Sequence, residues 1–106
     1  MLIELVYDRG CPNVERARAT IRAALREVGA ELVWAEWDRA SSKTPANRRR
    51  FGSPTVLVNG LDVGCDVGDS AHVDANACRV YLDGTGRLRG APSAHAIASA
   101  IAAQRI

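Results

Sequence analysis

Leu2-Ile3-Glu4-Leu5-Val6-Tyr7-Asp8-Arg9-Gly10-Cys11-Pro12-Asn13 runs from a short apolar strand into the start of a helix. Residues 2–7 form a β-rich apolar run closed by Asp8 and Gly10, the pattern of a strand. From Val14 the period changes. Val14, Ala17, Ile21, Ala24, Leu25 and Val28 make one apolar stripe, with Glu15, Arg16, Arg18, Arg22 and Arg26 largely off it. Gly29 follows as a stop signal. Cys11 lies at the junction. The first N–H groups of a helix lack intrahelical partners, and the helix dipole places partial positive charge there. Both favour the thiolate, the reactive form of cysteine. Pro12 suits the first helical position, which puts Cys11 at or beside the N-cap. The other reading of Cys11 is a small buried hydrophobe.

Further along, residues 31–37 (Glu-Leu-Val-Trp-Ala-Glu-Trp) read as a second strand. A strand, a helix and a strand of these lengths imply a right-handed parallel crossover. After a polar stretch from Asp38 to Lys43, Thr44-Pro45 reads as an N-cap and first-turn proline. They open a short, poorly amphipathic helix through about Arg50. Thr55–Val58 and Leu61–Val63 flank Asn59-Gly60, the strongest short hairpin signal. Residues 64–77 read as loop, Cys78–Leu82 as a strand and Asp83–Gly86 as a turn. Pro92-Ser93 opens a final Ala-rich helix whose apolar side includes Ile97 and Ile101.

Composition narrows the classes. A length of 106 residues predicts one domain, large enough to bury a core without staples. A net charge of +2 gives no argument for nucleic acid, and Arg48-Arg49-Arg50 reads as a solvated helix face rather than a phosphate or RNA patch. No stretch approaches the ~20 apolar residues of a membrane span. The first residues lack the pattern of a signal peptide. Three irregularly spaced cysteines do not suggest a secreted disulfide framework. A reducing cytoplasm is the expected compartment, where thiols tend to be catalytic or metal-binding.

The order strand, helix, strand, helix, hairpin, helix resembles the thioredoxin fold. Gly10-Cys11-Pro12-Asn13-Val14 falls where thioredoxin-like proteins carry their Cys-x-x-Cys, and Gly52-Ser53-Pro54-Thr55 where they carry the cis-proline entering the third strand. With Cys78-Arg79-Val80-Tyr81, the pattern is similar to small bacterial thioredoxin-like proteins labelled as selenoprotein or alkylmercury-lyase relatives. The resemblance implies an α/β thioredoxin-like fold, a central mixed sheet flanked by helices. It implies Cys11 as nucleophile, with Pro12, Ser53 and Pro54 shaping the substrate groove. The expected partner is a thiol or disulfide, protein or small molecule, with no cofactor.

One departure is chemical. Val14 stands where the second cysteine of the motif belongs. Resolution of a mixed disulfide then needs an external thiol, or Cys65 or Cys78. Monothiol exchange and peroxide chemistry remain open. Two alternatives compete: capture of a soft metal (mercury, zinc or copper) by Cys11, Cys65 and Cys78, or a non-catalytic interaction domain. His72, with Cys65, Asp66, Asp69, Asp74 and Cys78 around it, fits no zinc spacing. His95 reads as surface. Arg9, if turned inward, would act on the thiol; otherwise Asp8 and Arg9 face water. Trp34 and Trp37 are expected one on each sheet face.

Overall fold

Strand β1 (Ile3–Tyr7) is paired along both edges. The computed structural model describes residues 2–63, 81–82 and 87–104. After β1 come α1 (Val14–Glu27), β2 (Ala35–Asp38), α2 (Ala46–Arg49), β3 (Thr55–Val58), β4 (Leu61–Asp62), β5 (Tyr81–Leu82), β6 (Leu88–Arg89) and α3 (Ala94–Gln104). The molecule is mixed α/β. Four strands form one mixed sheet in the order β2-β1-β3-β4, with β2 parallel to β1 and β3 antiparallel to it. β5 and β6 form a separate antiparallel pair.

The pleat sorts the side chains of β1. Ile3 and Leu5 lie opposite Val58 and Val56. These four pack with Val14, Ala17, Ile21, Ala24 and Leu25 of α1 and Ile97, Ala98 and Ile101 of α3. Both helices therefore cover one face of the sheet. On the other face Glu4 and Val6 lie opposite Leu57 and Thr55, and all four are buried. A strand covered on both faces loses its polar alternation, as Leu-Val and Thr-Val-Leu-Val do here.

The turns use the chemistry their residues supply. α1 ends with Gly29 at φ +70°; the Ala30 N–H donates to the Leu25 carbonyl and the Gly29 N–H to that of Arg26. This is a Schellman ending. Asn59 and Gly60 both take positive φ, and Val58 faces Leu61, so the hairpin loop has two residues. Ser93 accepts the Ala96 N–H at 3.0 Å and starts α3. Trp34 packs against the face covered by α1 and α3, while Trp37, opposite Val6, lies on the other.

Several expectations change. β2 begins at Ala35 rather than residue 31, because its pairing with β1 starts at Glu4↔Ala35. Leu32 and Val33 stay exposed outside the ladder. Thr44 does not cap α2: its hydroxyl donates to the Asp38 carbonyl, and Pro45 occupies the cap position. β6 has no counterpart in the sequence reading. The Arg48-Arg49-Arg50 run is not a uniformly solvated face. Arg48 Nε and Nη2 each donate to Glu4 at 3.0 Å, and Trp37 Nε1 donates to the same carboxylate at 2.6 Å. α2 buries no residue of its own, so this pair is its main anchor to the sheet. Residues 64–80 and 83–86, with the predicted loop, the start of the Cys78–Leu82 strand and the turn, lie outside the described residues. Among the described residues no helix is long and apolar enough to cross a membrane.

The carboxylates predict acid sensitivity. Burial opposes the ionised form of Glu4, but the bonds from Arg48 and Trp37, with the charge of Arg48, outweigh it and hold the carboxyl below its ordinary value. Glu36 is also held low, first by its bonds from Arg18, against burial, with help from Trp34. Folded values below unfolded ones mean that the unfolded chain binds more protons in acid. The stability is full above the unfolded carboxyl value of about 4.3 and is lost as pH falls through the folded values. Glu4→Gln should cost about 1.5–3 kcal/mol near neutrality, the range for hydrogen bonds to charged groups. It should also flatten the loss of stability between about pH 5 and pH 3. Denaturant titrations across that range check both, and an unchanged slope refutes the assignment to Glu4.

Candidate active site

The antiparallel register Val6↔Thr55 brings the end of β1 and the start of β3 to one edge of the sheet. Two short loops meet there. The first, residues 8–13, makes successive turns: the Cys11 N–H donates to the Asp8 carbonyl at 3.0 Å, and the Val14 N–H to the Cys11 carbonyl at 3.4 Å. α1 starts at Val14 with Asn13 as N-cap. Pro12 is therefore outside the helix rather than at its first position, and Cys11 stands two residues before the cap. The paired turns at Asp8–Cys11 and Cys11–Val14 delay the helix.

The second loop carries Ser53 and Pro54, joined by a cis peptide bond as the resemblance implies. Ser53 is 0% exposed, and its Oγ accepts the Asp8 N–H at 2.9 Å. The side chain expected in the substrate groove instead sits behind it, pinning the loop that carries Cys11. Pro54 is buried, and its carbonyl accepts the Tyr81 hydroxyl. Thr55 closes the turn by donating to the Gly52 carbonyl at 2.7 Å. Pro12 is exposed.

Charges fasten the first loop from the other side. Arg39 Nη1 donates to Asp8 at 2.8 Å and Arg9 Nε to Asp38 at 2.5 Å, so residues 8 and 9 exchange ion pairs with 39 and 38. The Arg39 N–H donates to the Tyr7 carbonyl, extending the contact between β1 and β2. The Asp38 carboxyl is held below its ordinary value, first by the Ala40 N–H, then, against slight burial, by Arg9. Arg9 thus pairs with Asp38 through Nε and stays exposed rather than turned inward as one reading allowed.

Cys11 is 8% exposed. One side of it belongs to the core with Val14 and Ala17. The other lines an open cavity of about 340 Å³, together with Tyr7, Arg9, Val14, Glu15 and Arg18. Cys11 is thus packed into the core on one side and faces an open cavity on the other. Arg18 donates through Nε and Nη2 to Glu36, each at 2.9 Å, pairs with Glu15 through Nη1, and lies over the Tyr7 ring. The spacing of Glu15 and Arg18 was a legible signal for an ion pair. Tyr7, Glu36, Asp38 and Tyr81 had none.

One more contact ties this edge to the C-terminal part. The Asn13 carboxamide lies where a Cβ on Gly90 would be. Cys65, Cys78, His72, Asp66, Asp69 and Asp74 lie outside the described residues. Among the described residues no three His, Cys, Asp or Glu side chains gather to hold a metal ion. His95 is exposed. No family model, curated protein or solved structure matches this chain.

Ser53→Ala should remove the acceptor of the Asp8 N–H at a cost of about 1 kcal/mol. It should also loosen the Cys11 loop, so that iodoacetamide labels Cys11 several-fold faster. Peptide-resolved labelling rates measure this. An unchanged rate with lowered stability would mean that Ser53 supports the fold but not the setting of the thiol.

Proposed function

We propose that this chain is a thioredoxin-like domain doing single-thiol redox chemistry at Cys11. The observation that carries the reading is the convergence, at one sheet edge, of the loop that holds Cys11 with the Ser53–Pro54 loop, joined by the Asp8–Ser53 hydrogen bond. The strand order β2-β1-β3-β4, with β3 antiparallel to β1 and α1 and α3 on one face, supports the fold assignment. The open cavity supports access to the sulfur.

The chemistry is exchange. The Cys11 thiolate attacks one sulfur of a disulfide, forming a mixed disulfide and releasing the other half as a thiolate. A thiolate from solution that attacks the substrate sulfur of the mixed disulfide regenerates Cys11 and carries away the oxidised pair. With Val14 in place of a nearby cysteine, the internal route is attack by Cys65 or Cys78 on the Cys11 sulfur, which releases the substrate half as a thiolate and leaves an intramolecular disulfide that two external thiols then reduce. The cycle needs a pool of reduced thiols, which suits a reducing cytoplasm.

Mild peroxide followed by peptide mapping tests the reading. The expected result is oxidation of Cys11 through its sulfenic acid to an intramolecular disulfide with Cys65 or Cys78, abolished in Cys11→Ser. Capture of Cys11 by an added small thiol, with the other two cysteines reduced, assigns resolution to an external thiol and retains the reading. A Cys11 that stays unmodified while Cys65 or Cys78 oxidises overturns it.

A further inference from the structure

The cavity beside Cys11 carries two outward charges of opposite sign. The Arg9 side chain is 84% exposed and that of Glu15 is 77% exposed. Each is held by a less exposed partner. Among the described residues Arg9 is bonded only through Nε, to Asp38, whose side chain is 10% exposed. Glu15 is held by Arg18, which Glu36 grips through two nitrogens. Both charges are therefore oriented before any ligand arrives, which lowers the ordering cost of binding. A volume of about 340 Å³ is at the small end for ligand pockets, nearer to a metabolite than to a protein segment.

We propose that this cavity recognises an amino-acid-type disulfide, carrying a carboxylate and an ammonium close to its sulfurs, with cystine as the simplest case. The proposal rests on the reading of Cys11 as a redox thiol. The ligand carboxylate meets the Arg9 guanidinium, whose planar fork matches it. The ligand ammonium meets the Glu15 carboxylate. A purely anionic disulfide would face Glu15, and a purely cationic one would face Arg9 and Arg18. The step balances as before: Cys11 is oxidised to a cysteinyl mixed disulfide, one cysteine leaves as thiolate, and an external thiol later releases the second.

The test uses four symmetrical disulfides: cystine, cationic cystamine, anionic dithiodiglycolate and neutral hydroxyethyl disulfide. Each adduct-forming rate at Cys11 is read by peptide mass spectrometry. It is divided by the rate of the same disulfide with a free small thiol, which removes intrinsic reactivity. Cystine is expected to lead hydroxyethyl disulfide by about 10-fold, the combined effect of two exposed charge pairs. Arg9→Gln should lower the normalised rates of cystine and dithiodiglycolate, with Arg9→Lys restoring part. Glu15→Gln should lower those of cystine and cystamine. Four equal normalised rates overturn the charge recognition while leaving the redox reading in place. A lead for dithiodiglycolate over cystine overturns the amino-acid class. No adduct from any of the four on the native protein, with adducts on the denatured one, overturns the redox reading itself.

Discussion

The register of β1 is the constraint on which everything else depends. Its pleat places Ile3 and Leu5 under α1 and α3, and Glu4 and Val6 on the opposite face. A slip of one residue would exchange the two sets. Glu4 would then enter the apolar core without Arg48 or Trp37, a buried charge with no partner. The ion pair therefore fixes which way the strand faces as well as anchoring α2. Because the thiol loop begins directly after Tyr7, the position of Cys11 at the sheet edge follows from that register.

The loop itself is held less by any one strong contact than by many modest ones. Exposed ion pairs such as Arg9–Asp38 are worth only about 0–1 kcal/mol each. Their effect here comes from placement. Asp8 is held through its backbone by Ser53 and through its side chain by Arg39, and its carbonyl accepts the Cys11 N–H. The segments that follow β2, precede β3 and lead into α1 thus meet around four consecutive residues. Fixing the Cys11 loop in this way keeps the geometry of its sulfur from depending on a long flexible connection.

The parts of the fold legible in the sequence are those with a local physical cause. The stripe from Val14 to Val28, the Gly29 stop and the Asn59-Gly60 hairpin depend on spacing and on backbone freedom, and each stands where the pattern put it. The cis bond at Pro54 came from likeness of motif, not from any local rule. What escaped was set by distant partners. Arg48 looks like its neighbours until Glu4, 44 positions away, is brought to it. Ser53 reads as a groove residue until folding delivers the Asp8 N–H. Apolar residues 31–34 look like strand, yet β1 offers them no ladder. The start of α1 shifted by two residues because turn hydrogen bonds at Asp8 and Cys11 won over the helical preference of Pro12.

The contact between Asn13 and Gly90 has an evolutionary consequence. A side chain at position 90 would displace the Asn13 carboxamide, the end of a flexible side chain that makes no capping hydrogen bond. Among descendants of this sequence a larger residue at 90 therefore moves Asn13 to another rotamer or accompanies a smaller residue at 13. The setting of the residue two places after the thiol is in this way coupled to the segment that leads into α3. A change there reaches the neighbourhood of Cys11 without any alteration to the motif that contains it.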